Sequence, residues 1–172
     1  MNKQQMIFMW RVKRHLYHKN QTQGFTLIEL IVVIIFLSIL IIVAVPTFFS
    51  QTGKAKEAEV LINLGTLARS QQSFHYLKGH FALNLAAIEA DTGPIDVKYY
   101  NLDNITGTTN HVKIQAIPTN GPQDQVKNYA IGVYFANGAY DRTTCQAALI
   151  GEQVQVGDTA DEPCTNNGVK IR

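Results

Sequence analysis

The sequence predicts an α+β protein: a long N-terminal hydrophobic helix, apolar all round in its first half and amphipathic in its second, packed on a small antiparallel β-sheet head. Three observations predict it. From Leu30 to Val45 the only polar side chain is Ser38. Beyond Pro46, Ala58, Leu61, Leu64, Leu67 or Ala68, Gln71 and Phe74 recur at three- and four-residue steps, with Val60 beside them. After Gly93-Pro94 the pattern changes to short runs rich in Tyr, Val and Ile separated by turn residues.

The first 24 residues carry Lys3, Arg11, Lys13, Arg14 and Lys19, with His15 and His18, and no Asp or Glu. Basic residues ahead of an apolar run hold that end in the cytoplasm and send the downstream chain across the membrane. With Phe25 to Ile28 before it and Phe48 and Phe49 after it, the run covers about 25 residues, roughly 37 Å of helix, enough to cross a hydrocarbon core of about 30 Å. A cleaved secretory signal would place small residues after a shorter apolar core. Here Val45-Pro46-Thr47-Phe48-Phe49 comes next, so the span is expected to be retained.

Glu29 is a lone carboxylate four residues into this run. An acid in lipid is expensive and calls for a cationic partner. It also lies in the first helical turn, where an anion meets the positive end of the macrodipole, so capping the helix or snorkelling to the headgroups is the plain alternative.

Pro46 removes a backbone donor and crowds the carbonyl of Ile42, so a kink or local melting is expected there rather than a stop. A single helix from Phe25 to about Lys78 would reach on the order of 80 Å. Its amphipathic half contains Gly53 and Gly65; Gly65 reads as tolerated, while Gly53, close to Pro46, is either a hinge or tolerated. Gly79-His80-Phe81 ends the helix, and Leu83, Leu85, Ala86, Ala87 and Ile88 form an apolar patch before the sheet.

Three strands are expected at 97–102, 111–117 and 129–135, and a weak fourth near 147–156. Turns are expected at Asn104-Ile105-Thr106-Gly107, Thr119-Asn120-Gly121-Pro122 and Asn137-Gly138. The head, of roughly 95 residues, can fold alone around a modest core.

Gly24-Phe25-Thr26-Leu27-Ile28-Glu29 after a basic leader resembles the class III signal of type IV pilins and type II secretion pseudopilins. The resemblance implies cleavage between Gly24 and Phe25 by a prepilin peptidase, N-methylation of the new Phe25 amine, and an assembly role for Glu29. The leader is longer than in many pilins that begin with Phe. Ser70-Gln71-Gln72-Ser73-Phe74-His75-Tyr76 followed by Gly79-His80-Phe81 is similar to cyanobacterial pilin-like proteins, and in the family the segment between helix and sheet is a loop. The implied organisation is a cleaved leader over 1–24, a transmembrane and polymerisation half over 25–50, an amphipathic half over 51–78, and a pilin head over 79–172. Cleavage would create a positive amine in the apolar zone with Glu29 the nearest anion, so that each subunit docks its amine on the carboxylate of a neighbour.

The expected partners are therefore other copies and other pilins, the peptidase and methyltransferase, an assembly ATPase and platform protein, and the inner membrane. The expected location is that membrane, single-pass with the N-terminus cytoplasmic, and after assembly a surface pilus or periplasmic pseudopilus. A minor pilin or pseudopilin is the near alternative, and an uncleaved membrane-anchored binding domain the distant one.

Cys145 and Cys164 both fall in the exported part and are expected to form one disulfide closing a loop of about 20 residues. Pilins commonly carry such a C-terminal loop. A reactive thiol with His75, His80 or His111 as base is rejected, since nothing sets a His at nucleophilic spacing, and no catalytic residue or cofactor is expected. Asp158, Asp161 and Glu162 could offer oxygen ligands to Ca²⁺, as some pseudopilins do, but the spacing is not an EF-hand and an exposed acidic loop is favoured. The histidines read as surface or satisfied residues, and the sequon Asn104-Ile105-Thr106 as a plain turn. The 15 basic and 13 acidic residues give a net charge of +2, but without the five leader cations the balance is 10 against 13, about −3. That leaves no general footprint for nucleic acid.

Overall fold

A computed structural model describes residues 24–95 and 97–171, apart from the side chains at 46 and 47. The expected leader lies outside the described residues except for Gly24. Helix α1, Leu27–Lys78, is 52 residues long and unbroken through Pro46. It starts two residues later than expected because Thr26 caps it. The chain divides after Val43 into two units.

In the first unit every described side chain of the apolar run is exposed, from Phe25 at 79% to Ile31 at 37%. Between Leu30 and Val45 the one hydroxyl, Ser38, donates to the carbonyl of Ile34 at 2.7 Å and so is satisfied within the helix.

In the second unit the same helix hides a seam. Val60, Leu64, Leu67 and Ala68 are almost fully buried, and Gly53, Gln71 and His75 continue the line at three-, four- and seven-residue steps. Ala58, expected on this face, is exposed; the seam passes through Val60 instead. Gly53 is no free hinge: a Cβ there would sit 2.7 Å from the Asp124 carbonyl and 3.3 Å from that of Gln125, so the helix needs glycine to approach that backbone. Around Gly65 the nearest atoms are arginine side-chain ends at 3.8 Å or more, an ordinary tolerated site.

Buried Gln71 acts as a strand edge for the segment after α1. Its Nε2 donates to the Ala82 carbonyl at 2.8 Å and its Oε1 accepts from the Ala82 amide at 3.0 Å. The segment expected as a loop then forms helix α2, Leu85–Thr92, capped by Asn84, whose Oδ1 accepts from the Ala87 amide at 2.7 Å. Ile88 drives it onto the core.

The sheet is a five-stranded antiparallel meander, β1 (Tyr100–Gly107), β2 (His111–Pro118), β3 (Tyr129–Ala136), β4 (Ala139–Gln146) and β5 (Val169–Ile171), in that spatial order. β2 and β3 match the expected second and third strands. β1 starts later than expected and runs through the expected Asn104–Gly107 turn. Asp103 faces Gln115 and Thr106 faces Lys113, so β1 carries one extra residue, with Asn104 at φ 49°. The turn-prone residues make a bulge rather than a turn. The 119–122 segment opens a short helix α3, Gly121–Asp124, with Pro at its start. Asn137 and Gly138, both at positive φ, form the expected two-residue turn between β3 and β4.

The expected fourth strand does not exist. Residues 147–156 leave the ladder, and the fourth strand is β4, whose polar sequence Ala-Tyr-Asp-Arg-Thr-Thr-Cys-Gln hides it from a hydrophobic pattern. Val154 and Val156 alternate because they cover the sheet, not because they pair in it. Val112, Ile114, Ala116, Tyr129, Ile131 and Val133 face α1 in the main core, while Ala130 and Cys145 on the opposite face meet Ala147, Val154, Val156 and Cys164 in a second one. β3 is consequently buried on both faces over six residues.

Candidate functional site

Gly24 and Phe25 lie just ahead of α1 in non-helical backbone, both exposed. Among the described residues a Cβ on Gly24 would meet nothing within 4 Å. Thr26 and Glu29 form a reciprocal capping box. The Thr26 amide donates to Glu29 Oε2 at 2.9 Å, the Thr26 hydroxyl to the same oxygen at 2.7 Å, and the Glu29 amide to Thr26 Oγ1 at 3.3 Å. In the single chain the carboxylate is thus satisfied by its own helix terminus, the plain capping role. The Thr-x-x-Glu spacing that announces this box is present in the sequence, where the lone acid draws attention away from its partner Thr26.

Pro46 lies inside α1 with the helix continuing on both sides. Cys145 and Cys164 are joined in a disulfide, which ties the end of β4 to the loop over the outer face of the sheet. That loop is caught at intervals of three residues by side chains rising from the sheet. Gln115 Nε2 donates to the Val154 carbonyl at 3.1 Å, the Tyr134 hydroxyl to Gly157 at 2.9 Å, and the Thr143 hydroxyl to Ala160 at 2.8 Å, with Lys170 also donating to Ala160. Burial, then the charges of Glu162 and Asp158, push the Tyr134 pKa up to about 12, so it remains a donor.

Two of the three acids considered for Ca²⁺ have partners within the head. Asp158 pairs with Lys113, whose hydrogen bond and charge hold its carboxyl below the usual range, and Glu162 accepts from the Asp158 amide at 2.6 Å. Asp158 and Asp161 line an open groove of about 870 Å³ beside His111, Tyr134 and Tyr140. Among the described residues no group of three or more His, Cys, Asp or Glu could hold a metal ion. His75 is buried and satisfied: its Nε2 donates to the Thr109 carbonyl at 3.0 Å, which leaves Nδ1 to accept from the Tyr140 hydroxyl at 2.7 Å. Asn104 of the sequon donates its amide to Gln115 Oε1 at 2.6 Å.

Residues 19–45 match the prokaryotic N-terminal methylation motif, and residues 57–171 match the family described as type IV pilin-like G and H. Over 62 residues the chain is 36% identical to the type IV major pilin protein PilA of Myxococcus xanthus (strain DK1622), a match that covers 36% of this chain and 28% of that protein. No solved structure matches the chain. The family match takes in the buried seam of α1 from Glu57 onward, the whole sheet and both cysteines, well over half of the sequence, and the chain belongs to the type IV pilin-like G and H family.

Proposed function

We propose that the chain is a structural subunit of a type IV pilus or related filament. It waits in the inner membrane with its N-terminus cytoplasmic, is cut after Gly24, is N-methylated at Phe25, and polymerises through its apolar helix. The observation that carries this reading is the contrast along α1. One face of the amphipathic half is buried in the head it carries, while every described side chain of the apolar run is exposed. Such a surface needs lipid or further copies of itself.

Glu29 is the polymerisation residue in this reading. Its carboxylate, held by Thr26 in the single chain, accepts the Phe25 amine of a neighbour on assembly, where leaving that amine unpaired in an apolar bundle would cost several kcal/mol. Among the described residues no contact demands glycine at position 24, and in this reading it is the peptidase that selects it. The peptidase, an assembly ATPase and a platform protein complete the process.

Mass spectrometry of membrane-extracted protein tests it. The expected N-terminus is a methylated Phe25; a chain still starting at Met1, with no species starting at Phe25, overturns the reading. Gly24→Ala should retain the leader and stay out of filaments.

A further inference from the structure

The turn over residues 148–151 carries two large apolar side chains that belong to neither core: Leu149 is 64% exposed and Ile150 43%. The turn does not need them. Glu152 donates its amide to the Leu149 carbonyl at 3.4 Å, the Leu149 amide donates to the Glu152 carboxylate at 3.2 Å, and Gly151 takes φ 84°. Polar residues would close the same turn without presenting apolar surface to water.

Its place in the head is fixed by the neighbouring contacts. Tyr129 at the start of β3 faces Gln146 at the end of β4, and this end of the sheet lies level with Glu57 of α1. The Lys127 amide donates to Glu57 Oε1 at 2.9 Å, while Lys127 Nζ donates to the Ala148 carbonyl at 2.9 Å. The other end of the same strands lies level with His75, through Tyr140. The turn therefore lies at the Glu57 level of α1, on the side of Phe48 and Phe49 rather than of His75. Phe49, 54% exposed, precedes Glu57 by only about 12 Å of helix rise, and the exposed Lys54 lies between them.

Resting on the reading of the apolar run as a membrane span, we propose that Leu149 and Ile150 enter the lipid interface while the subunit waits in the membrane, seating the end of the head on the bilayer. The occupant is a lipid surface because the exposed apolar surface at Phe48 and Phe49 brings the hydrocarbon boundary within about 12 Å of this level. An interfacial element reaches about 5–10 Å into the headgroup region. Lys54, exposed on α1 between Phe49 and Glu57, suits anionic headgroups.

The test uses the full chain with its one tryptophan, Trp10, replaced by Phe, diluted into phosphatidylethanolamine–phosphatidylglycerol vesicles whose acyl chains are brominated at shallow or deep positions. Leu149→Trp should emit to the blue of Leu77→Trp, an exposed site at the far end of α1, and be quenched about twofold more by shallow bromines. Equal quenching at the two sites overturns the proposal. So does shielding at 149 that appears only as the protein-to-lipid ratio rises, which would make a second copy the occupant. Ile41→Trp with deep bromines reports the span alone, so a failed span and a failed turn are told apart; if the span fails, the proposal falls with it.

Discussion

The two halves of helix α1 share one backbone and opposite surroundings. Around Ile35 and Phe36 every side chain is exposed, whereas around Leu64 and Leu67 the inward positions are fully buried. The difference lies in how the apolar residues are distributed around the axis. A stripe can be satisfied by one sheet, but a surface that is apolar all round cannot be covered by a head of this size, and it needs an environment that surrounds it. The first half thus specifies a medium and the second half a partner within the chain.

The largest test of that contrast is at its start. Glu29→Leu adds apolar surface and removes the only acid of the run, so membrane insertion should persist while incorporation into filaments is lost. Sedimented fibres and membrane fractions measure both, and wild-type incorporation would remove Glu29 from the assembly mechanism. A matched pair then compares the halves. Leu67→Ala should cost about 3 kcal/mol of head stability by denaturant titration in detergent, and Ile35→Ala less than about 0.5 kcal/mol, because only the former leaves a cavity inside the single chain. A comparable loss from both would mean that the apolar half is also part of the folded head.

On the outer face of the sheet, reducing the disulfide or replacing Cys145 and Cys164 by Ser should cost about 2–4 kcal/mol. The carbonyl contacts at 154, 157 and 160 should keep part of the loop protected from hydrogen exchange. At Gly53, alanine gains about 1 kcal/mol of helix propensity yet must push away the Asp124 carbonyl. The net effect should be a loss of about 1–2 kcal/mol by the same titration, where a true hinge would gain stability. The smallest effect is electrostatic. Asp158 has its pKa lowered on folding, so its contribution is present above the usual carboxylate range and is lost as the pH falls through the depressed value. Lys113→Met should flatten that part of the stability profile, and an unchanged profile would mean that the pair is solvated.

Much of the candidate site was legible because it is local. The Gly24–Phe25 junction, the lone Glu29, the apolar run and the Asn137-Gly138 turn depend on residues near one another in sequence. The head was less legible where polar residues are buried by distant ones. β4 carries Asp141, Arg142 and Thr143, and nothing in that string announces a strand; it becomes one because β3 pairs it along its whole length, from Tyr129–Gln146 to Ala136–Ala139. The run at 147–156 failed in the opposite sense. Its alternating valines have the period of a strand, but they pack on a sheet face whose ladder positions are already taken, by β3 on one side of β4 and by β5 on the other. Asn104 misled because a residue that tolerates positive φ serves a bulge as well as a turn.

By itself the sequence determined the long helix, where it is apolar all round and where it is striped, the α+β class and two central strands, because hydrophobic period and chain punctuation are properties of neighbouring residues. Only the tertiary structure decided that Gly53 is a contact rather than a hinge, that Glu29 is already held by Thr26 in the single chain, that α2 forms, that a disulfide-tied loop covers the second face of the sheet, and that Leu149 and Ile150 are left outside both cores. Each of these depends on which backbone or side chain arrives from elsewhere, and burial and hydrogen-bond partners are settled only when the distant segments meet.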